Sequence, residues 1–196
     1  MKRIIALFAL VAAAASLSAE TYNIDPVHSS VGFTLRHMVS NFSSSFTKVS
    51  GTIAYDPAAA EQSSVQATID IGSVNTANEK RDNHIKSPDF FDAAKFPTAT
   101  FKSKAWKKTG ENTFDVTGDL TIKDVTKEVV LKTTLIGSGP GMAPGSTLTG
   151  WSATTTLKKS DFGVAGPAML SAALGDDVAI AISIEAGHKP AAPAAK

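Results

Sequence analysis

Cysteine is absent from the 196-residue sequence, and its absence excludes several classes of function at once. Without a thiol there is no cysteine nucleophile, no cysteine-ligated zinc site and no iron–sulfur cluster. Disulfides are excluded as well, so the core alone has to hold the fold together. A chain of this length is long enough to bury such a core within one domain.

An excess of charge of either sign is also lacking. The sequence has 19 basic and 18 acidic residues, which gives a formal net charge of +1. A chain so close to neutrality has no electrostatic reason to bind nucleic acid or an anionic membrane surface. No nucleic-acid partner is therefore expected.

The apolar run near the amino terminus is too short to be a membrane anchor. Residues 4–19 carry no charge, but these 16 residues fall short of the roughly 20 that span a bilayer. Lys2 and Arg3 precede the run, and the small residues Ser16, Ser18 and Ala19 end it, which is typical of a cleavable secretory signal. We expect residues 1–19 to be removed, with the cut after Ala19 or one residue earlier, and the protein to be exported to the periplasm.

The opposite end of the chain is rich in alanine and proline. Residues 187–196 are of low complexity and are predicted to form a disordered tail. The working domain is then residues 20–186. Loss of Lys2 and Arg3 with the signal leaves 17 basic against 18 acidic residues, so the balance stays near neutral.

What the sequence does have is a repeated alternation of apolar and polar residues with a period of two. Eight half-buried strands joined mostly by short polar connections indicate an antiparallel all-β fold. Alternation by itself leaves a sandwich and a closed barrel open. The predicted strands are residues 30–36, 49–55, 65–71, 101–105, 114–122, 129–135, 151–157 and 178–184.

A short helical insert interrupts the pattern between the third and fourth strands. Thr76 and Glu79 have the spacing of a capping box, and Ser87-Pro88 offers a second helix start. The helical stretch is predicted over about residues 77–93. Because it carries Phe90 and Phe91, it needs an apolar surface, and one open end of the β structure would provide it.

Groups that commonly carry out catalysis are sparse. None of the four histidines, His28, His37, His84 and His188, has the spacing of a metal site or a nucleophile–base pair. Arg81 either binds a phosphate or carboxylate at a cavity mouth or is an ordinary surface charge. No catalytic residue, metal or cofactor is therefore predicted.

Several ordered motifs resemble the YceI family, the YceI-like polyisoprenoid-binding proteins. In one position the chain departs from the family, because Lys123-Asp124 stands where members commonly have a glycine. The matching segments are residues 22–33 (YNIDPVHSSVGF), 81–85 (RDNHI), 87–92 (SPDFFD), 96–101 (FPTATF), 118–127 (GDLTIKDVTK) and 160–163 (SDFG).

The resemblance implies an extended, lipocalin-like, eight-stranded antiparallel β-barrel with the helical insert between strands 3 and 4. Its apolar tunnel would hold a polyisoprenoid or another long-chain lipid, which makes the protein a periplasmic carrier or sequestering protein. The resemblance also implies a homodimer and a membrane cytochrome b561-type partner. It supplies no catalytic residues.

On the barrel interpretation, one parity of each strand faces a cavity. Weaker candidates for a polar head group are His28, Arg81 and His84. Two alternatives are an enzyme acting on a lipid or quinone-like ring with His28 or His84 as the base, and a solid-core structural or interaction barrel. The predicted cavity-lining residues are Phe33, Leu35, Ile53, Ile69, Phe101, Val116, Leu120, Leu131, Leu135, Trp151, Ile180 and Ile182, with Phe90, Phe91, Phe162 and Met169 near the rim.

Overall fold

A computed structural model describes residues 19–189. Residues 1–18 of the predicted signal and residues 190–196 of the predicted tail lie outside this range. The described chain forms one eleven-stranded antiparallel sheet and one α-helix, α1 (Glu79–Lys86). The strands are β1 (Glu20–Ile24), β2 (Ser30–His37), β3 (Ser40–Phe46), β4 (Val49–Tyr55), β5 (Ser64–Asp70), β6 (Val74–Asn75), β7 (Thr98–Lys108), β8 (Thr113–Ile122), β9 (Val125–Pro140), β10 (Thr147–Lys158) and β11 (Leu174–His188).

The eleven strands make a closed barrel of eight long strands, because three of the long strands are interrupted. Strands β1 and β2 both pair with β11, through Asn23 with Gly187 and Phe33 with Ile180. Strands β3 and β4 pair with β2 and β1 in turn, and β5 and β6 continue alongside them. The pairing of β1 with β11 closes the ring. The predicted eight-stranded antiparallel barrel is confirmed.

Each predicted strand lies in a different strand of the barrel, but β1, β3 and the two-residue β6 were missed. Strand β3 reads Ser-Asn-Phe-Ser-Ser-Ser-Phe, and its two phenylalanines lie four residues apart with only polar residues between them. Such a segment shows no alternation from which a strand can be predicted. Strand β11 also runs through His188, so Gly187 and His188 pair with β10 rather than beginning a tail.

A bulge in β7 changes which residues of that strand face inward. The pairing with β8 shifts between Ser103 and Ala105. Phe101 is buried ahead of the shift, and Trp106 is buried after it. An unbroken period of two in the predicted strand 101–105 would place Ala105 on the same face as Phe101. Ala105 is exposed instead, because one extra residue reverses the parity of the pleat.

The insert, residues 76–97, is shorter in helix than predicted. Asn78 caps α1, with its side-chain oxygen accepting a hydrogen bond from the Arg81 backbone N–H at 3.0 Å. Thr76 is buried ahead of the cap and donates its hydroxyl to Asp82 instead. The helix ends at Lys86, and the segment after it forms turns rather than a second helix. No helix among residues 19–189 has both the length and the apolar character needed to span a bilayer.

Candidate functional site

The half of the barrel nearest the insert is hollow. A cavity of about 440 Å³, the upper cavity, occupies it, which is within the range of ligand pockets of roughly 300–1,000 Å³. A void of this size is not a filled core, so the solid-core alternative is wrong for this half of the barrel. Strands β2 and β11 show how the cavity is lined, by alternate residues Val31, Phe33 and Leu35 on one and Val178, Ile180 and Ile182 on the other.

The insert and the β10–β11 connection cover the upper cavity. Phe90 is buried and Phe91 packs edge-on against Phe46, with 5.6 Å between ring centroids. The Lys123 ammonium donates to the carbonyl of Phe90 at 3.2 Å and to that of Gly163 at 3.1 Å, which ties the two covering segments together. Lys123 lies where members of the family commonly have a glycine, and a glycine could not make these two hydrogen bonds.

Gly166 shows how closely the two covering segments pack. Its φ of +78° is one that side-chain-bearing residues rarely adopt, and a Cβ there would lie 2.6 Å from the Phe90 ring. Only glycine allows the connection to pass over Phe90 at this distance.

Polar groups of the upper cavity gather at its opening, which we call the mouth. The Arg81 guanidinium lies over the Phe42 ring at 4.5 Å, and its Nε and Nη2 donate to the hydroxyl and the carbonyl of Thr76. Among the described residues that line this cavity, none is acidic. The mouth therefore presents positive charge and hydrogen-bond donors above an apolar interior. Its residues are His37, Ser40, Asn41, Arg81, His84 and Lys159.

A second, smaller cavity of about 90 Å³, the lower cavity, adjoins the upper one. Residues common to both linings include Phe101, Leu131 and Ile182. Trp106 and Trp151 line the lower cavity and not the upper one. The interior is therefore wide near the mouth and narrows toward the two indoles.

Four aromatic rings close the barrel beyond the lower cavity, and we call them the aromatic floor: Tyr55, Trp106, Phe114 and Trp151. The Trp151 ring is edge-on to Tyr55 at 5.0 Å and to Trp106 at 5.6 Å, and Phe114 lies 5.6 Å from Trp106. The rings come from β4, β7, β8 and β10 and are at most 7% exposed, so they seal the interior from several sides. Burial raises the pKa of the Tyr55 hydroxyl, which therefore remains neutral here.

Both indole N–H groups of the floor are buried without a hydrogen-bond partner among residues 19–189. An unsatisfied buried donor costs about 1–3 kcal/mol. The edge-to-face ring contacts and the apolar area that the indoles bury stabilise the fold and offset this cost. The floor is therefore held by packing rather than by polar contacts.

Most of the predicted cavity-lining residues face the interior. Leu135 lines neither cavity, because it is paired with Trp151 at the level of the floor and packs into the core there. Met169 was also misplaced: it is 86% exposed, while its neighbour Leu170 turns toward the cavity. Ile53, Val116 and Trp151 line the lower cavity. Those that line the upper cavity are Phe33, Leu35, Ile69, Phe90, Phe91, Phe101, Leu120, Leu131, Phe162, Ile180 and Ile182.

Sequence reasoning missed other residues that face the interior. Phe42 and Phe46 belong to β3, the strand without alternation, and Trp106 follows the bulge in β7. Ile85 lies in α1, where a period of two does not apply. Other missed residues had a usable signal, because they share the parity of predicted lining residues within the predicted strands. They include Val31, Ile71, Val129, Leu157 and Val178, and Leu174 continues the parity of Val178 ahead of the predicted start of its strand.

The three residues predicted to contact a head group lie in two different parts of the barrel. Arg81 and His84 are at the mouth, whereas His28 lines neither cavity. His28 lies in the interruption between β1 and β2, with its Nδ1 2.9 Å from an Asp25 carboxylate oxygen and 3.7 Å from Glu185. Glu185 follows Ile184, the partner of Trp151 in the ladder, so His28 is at the level of the floor.

The Asp25–His28–Glu185 group is the cluster of metal-binding side-chain types that the described residues contain, with ligand atoms within 4.8 Å of one another. Its geometry is explained by ion pairing. The hydrogen bond that the His28 ring donates to Asp25 raises the pKa of His28, and the same contact lowers the pKa of Asp25. The His28 side chain is largely exposed to solvent, and that of Asp25 is about one-third exposed.

A family profile described as the YceI-like domain matches residues 22–186, nearly the whole of the closed barrel. The chain belongs to the YceI family. A UPF0312 protein of Pseudomonas savastanoi pv. phaseolicola is 40% identical over 174 residues, which cover 87% of this chain and 89% of that protein. The predicted family membership is confirmed.

Solved structures of similar fold extend the comparison. BcnA of Burkholderia cenocepacia superposes with a TM-score of 0.75 at 29% identity, covering 83% of this YceI-family chain and 98% of BcnA. A polyisoprenoid-binding domain from Saccharophagus degradans, implicated in plant cell wall breakdown, superposes with a TM-score of 0.66 over 86% of this chain and 98% of that domain. At 18% identity the latter likeness shows the barrel fold alone.

Proposed function

We propose that this YceI-family protein binds the chain of a polyisoprenoid or similar lipid in the upper cavity and acts as its carrier or sequestering protein. The observation that carries the proposal is the 440 Å³ cavity with apolar walls and a polar mouth. A lipid would enter chain first, because its apolar part matches the walls and its head group matches the donors around Arg81. The Saccharophagus domain, which is described as polyisoprenoid-binding, has the same barrel fold.

Hydrophobic burial is sufficient to support such binding. Removing one five-carbon isoprene unit from water yields about 4 kcal/mol gross, at about 0.8 kcal/mol for each methylene-sized group. Ordering the chain and restricting its translation offset much of this. Several buried units still leave roughly −8 kcal/mol, which corresponds to about micromolar affinity. No catalytic group is needed for this activity.

The proposal includes export. The amino-terminal segment has the pattern of a secretory signal, and a lipid that crosses an aqueous periplasm needs an enclosed apolar site. A carrier also needs a donor and an acceptor for its cargo. The homodimer and the cytochrome b561-type partner that the family resemblance implies stay predictions.

Lipid extraction from natively purified protein tests the proposal. We expect mass spectrometry to find a long-chain lipid in the wild type, or uptake of added polyprenol by stripped protein. Ile180→Trp would place an indole inside the upper cavity and reduce uptake at least about tenfold, since the buried ring replaces several carbons of ligand. Ala181→Trp is the matched control, because Ala181 is the next residue of the same strand and faces outward.

The proposal fails if the wild type neither carries lipid nor takes up added polyprenol. It also fails if both tryptophan variants reduce uptake equally, since a specific cavity should distinguish an inward from an outward ring. Circular dichroism and a urea titration establish that each variant is folded before uptake is compared.

An enzyme is the second candidate, and one contact favours it. His84 Nε2 lies 2.8 Å from a carboxylate oxygen of Asp89, an arrangement that orients an imidazole for proton transfer. Within the described chain, however, no hydroxyl group is hydrogen-bonded to the His84 ring to act as a nucleophile. The extraction experiment separates the two functions: a carrier returns added lipid with its mass unchanged, whereas an enzyme would convert it.

A further inference from the structure

We propose that the aromatic floor limits the chain this protein encloses to about four or five isoprene units, and that any longer chain leaves its excess outside the mouth. This inference rests on the proposed lipid-binding function and adds a length limit to it. The floor is the structural reason, because it ends the cavity inside the barrel instead of leaving a tunnel open at both ends.

The depth of the interior gives one estimate of the limit. Along β11, Leu174 lies in the upper cavity wall near the mouth, and Ile184 is paired with Trp151 at the floor. The pairing of β11 with β2 is irregular between Leu174 and Val178, where four residues of β11 lie opposite two of β2, so the stretch spans about eight strand residues. Eight residues span about 26 Å, and a barrel tilt of about 40° reduces this to a depth of about 20 Å. An extended chain advances roughly 1.2 Å per main-chain bond, so the four bonds of an isoprene unit take about 5 Å. The depth therefore admits about four units.

The volume of the interior gives an independent estimate. An engineered apolar cavity of about 150 Å³ holds benzene, which corresponds to roughly 25 Å³ for each carbon. At that ratio the 440 Å³ upper cavity holds about 18 carbons, and the 90 Å³ lower cavity adds three or four. About 20 carbons make four isoprene units. Depth and volume thus agree within one unit.

The floor is suited to act as a fixed stop. Trp151 is edge-on to Tyr55 and Trp106, the two contacts of Phe114 are tilted, and the centroid distances are 5.0 to 6.3 Å. Each ring is nearly inaccessible to solvent. Trp106 and Trp151 face the lower cavity, whereas Phe114 lies behind them and lines neither cavity. A chain that reaches the floor therefore meets the two indoles first.

A series of linear prenols from about three to about eight units tests the limit on the wild-type protein. We expect affinity to rise several-fold for each unit up to four or five and then to stay level, because further units remain in water. In Trp151→Ala the affinity should keep rising for about one or two further isoprene units before it stays level. Phe114→Ala is the matched control: it also removes a buried ring, but it leaves the indoles in place and should not move the limit.

The wild type also permits a test that needs no substitution. Trp106 and Trp151 are the two tryptophans of the sequence, so intrinsic indole fluorescence comes from the floor alone. A prenol with a bromine at its chain end should quench this fluorescence when it has about four or five units, and much less when it has two. This readout keeps the inference testable should Trp151→Ala fail to fold.

The possible failures are distinct. If no prenol of any length binds, the proposed function itself is wrong. If prenols bind but affinity keeps rising to eight units, or if a brominated end of matching length leaves the fluorescence unchanged, the floor is not the stop. An equal shift of the limit in Trp151→Ala and Phe114→Ala would likewise overturn the role of the indoles.

Discussion

The two halves of the barrel interior follow the same strand pattern but differ in how they are filled. Near the floor, Val116, Phe114 and Trp151 are no more than 3% exposed. Near the mouth, Phe33 and Leu35 point inward on the same kind of strand and are still only half-buried, because they face the upper cavity. The comparison shows that an eight-stranded barrel is solid or hollow according to which side chains fill its cross-section.

The filling difference follows from a few large residues rather than from a different backbone. Two indoles, a phenol and a phenyl ring meet at one level of the barrel and leave room for only the small lower cavity. The opposite half is lined by aliphatic residues and phenylalanines and has no tryptophan. Several of its phenylalanines, such as Phe33, Phe46 and Phe91, pack against one another and leave the cavity open. Binding capacity and stability should therefore be located at opposite ends of the molecule.

The largest expected effect is on stability at the floor. Trp151→Ala should lower the free energy of unfolding by about 3–5 kcal/mol, since it removes a fully packed ring and leaves a void. Leu35→Ala should cost clearly less, about 1–2 kcal/mol, because one side of Leu35 already faces an empty cavity and loses few contacts. Urea denaturation of the two variants measures the difference. Equal losses would show that the upper half is packed as tightly as the lower.

A smaller effect is expected at the mouth. Arg81→Ala should weaken binding of a polyprenyl phosphate by about two- to fivefold and leave binding of the neutral polyprenol nearly unchanged. The reason is that an exposed charge pair contributes only about 0.2–1 kcal/mol. Lys80→Ala is the matched control, since Lys80 precedes Arg81 on α1 and does not line the cavity. Competition binding with the two lipids measures the effect, and an equal loss for both would mean that Arg81 acts through packing on Phe42.

The same contrast explains what sequence could predict. Alternation located a part of every long strand of the barrel and the inward parity of β2 and of β11 from Val178 onward, because the pairing of these two segments is regular. It failed at the bulge of β7, where Trp106 takes the inward position, and that error hid half of the indole pair in the floor. The void near the mouth has no signature in a period-two pattern either, since filled and hollow barrels alternate alike.

The cover of the cavity was predicted in place but not in detail. Phe90 and Phe91 were expected over one end of the barrel, and that is where they pack. Their anchoring by Lys123 comes from a residue some thirty positions away on the β8–β9 turn. A long-range contact of this kind leaves no local pattern in the sequence.

The smallest effect is expected at His28, at the floor end of the barrel and away from both cavities. The hydrogen bond that the His28 ring donates to Asp25 raises the pKa of His28 above its ordinary value of 6.5, and Glu185 adds to the effect. The same contact lowers the pKa of Asp25 below 3.8. The stabilisation due to His28 is therefore complete below about pH 6.5 and is lost as pH rises through its raised folded pKa. That due to Asp25 is present above about pH 4 and is lost as pH falls through its lowered pKa. The pair thus stabilises the fold most between these limits.

NMR titration of the His28 ring protons measures this directly. We expect a midpoint above that of a free histidine, moving down in Asp25→Asn, which keeps the shape of the side chain but removes its charge. The His28→Gln variant assigns the resonance among the histidines. Because the His28 side chain is largely exposed and that of Asp25 is about one-third exposed, stability should change only slightly over this range, and lipid binding should not change at all. If the midpoint is the same in Asp25→Asn, the Asp25 carboxylate does not raise the pKa of His28. If lipid affinity depends on pH in the wild type and this dependence is lost in His28→Gln, protonation of His28 affects binding in the cavity.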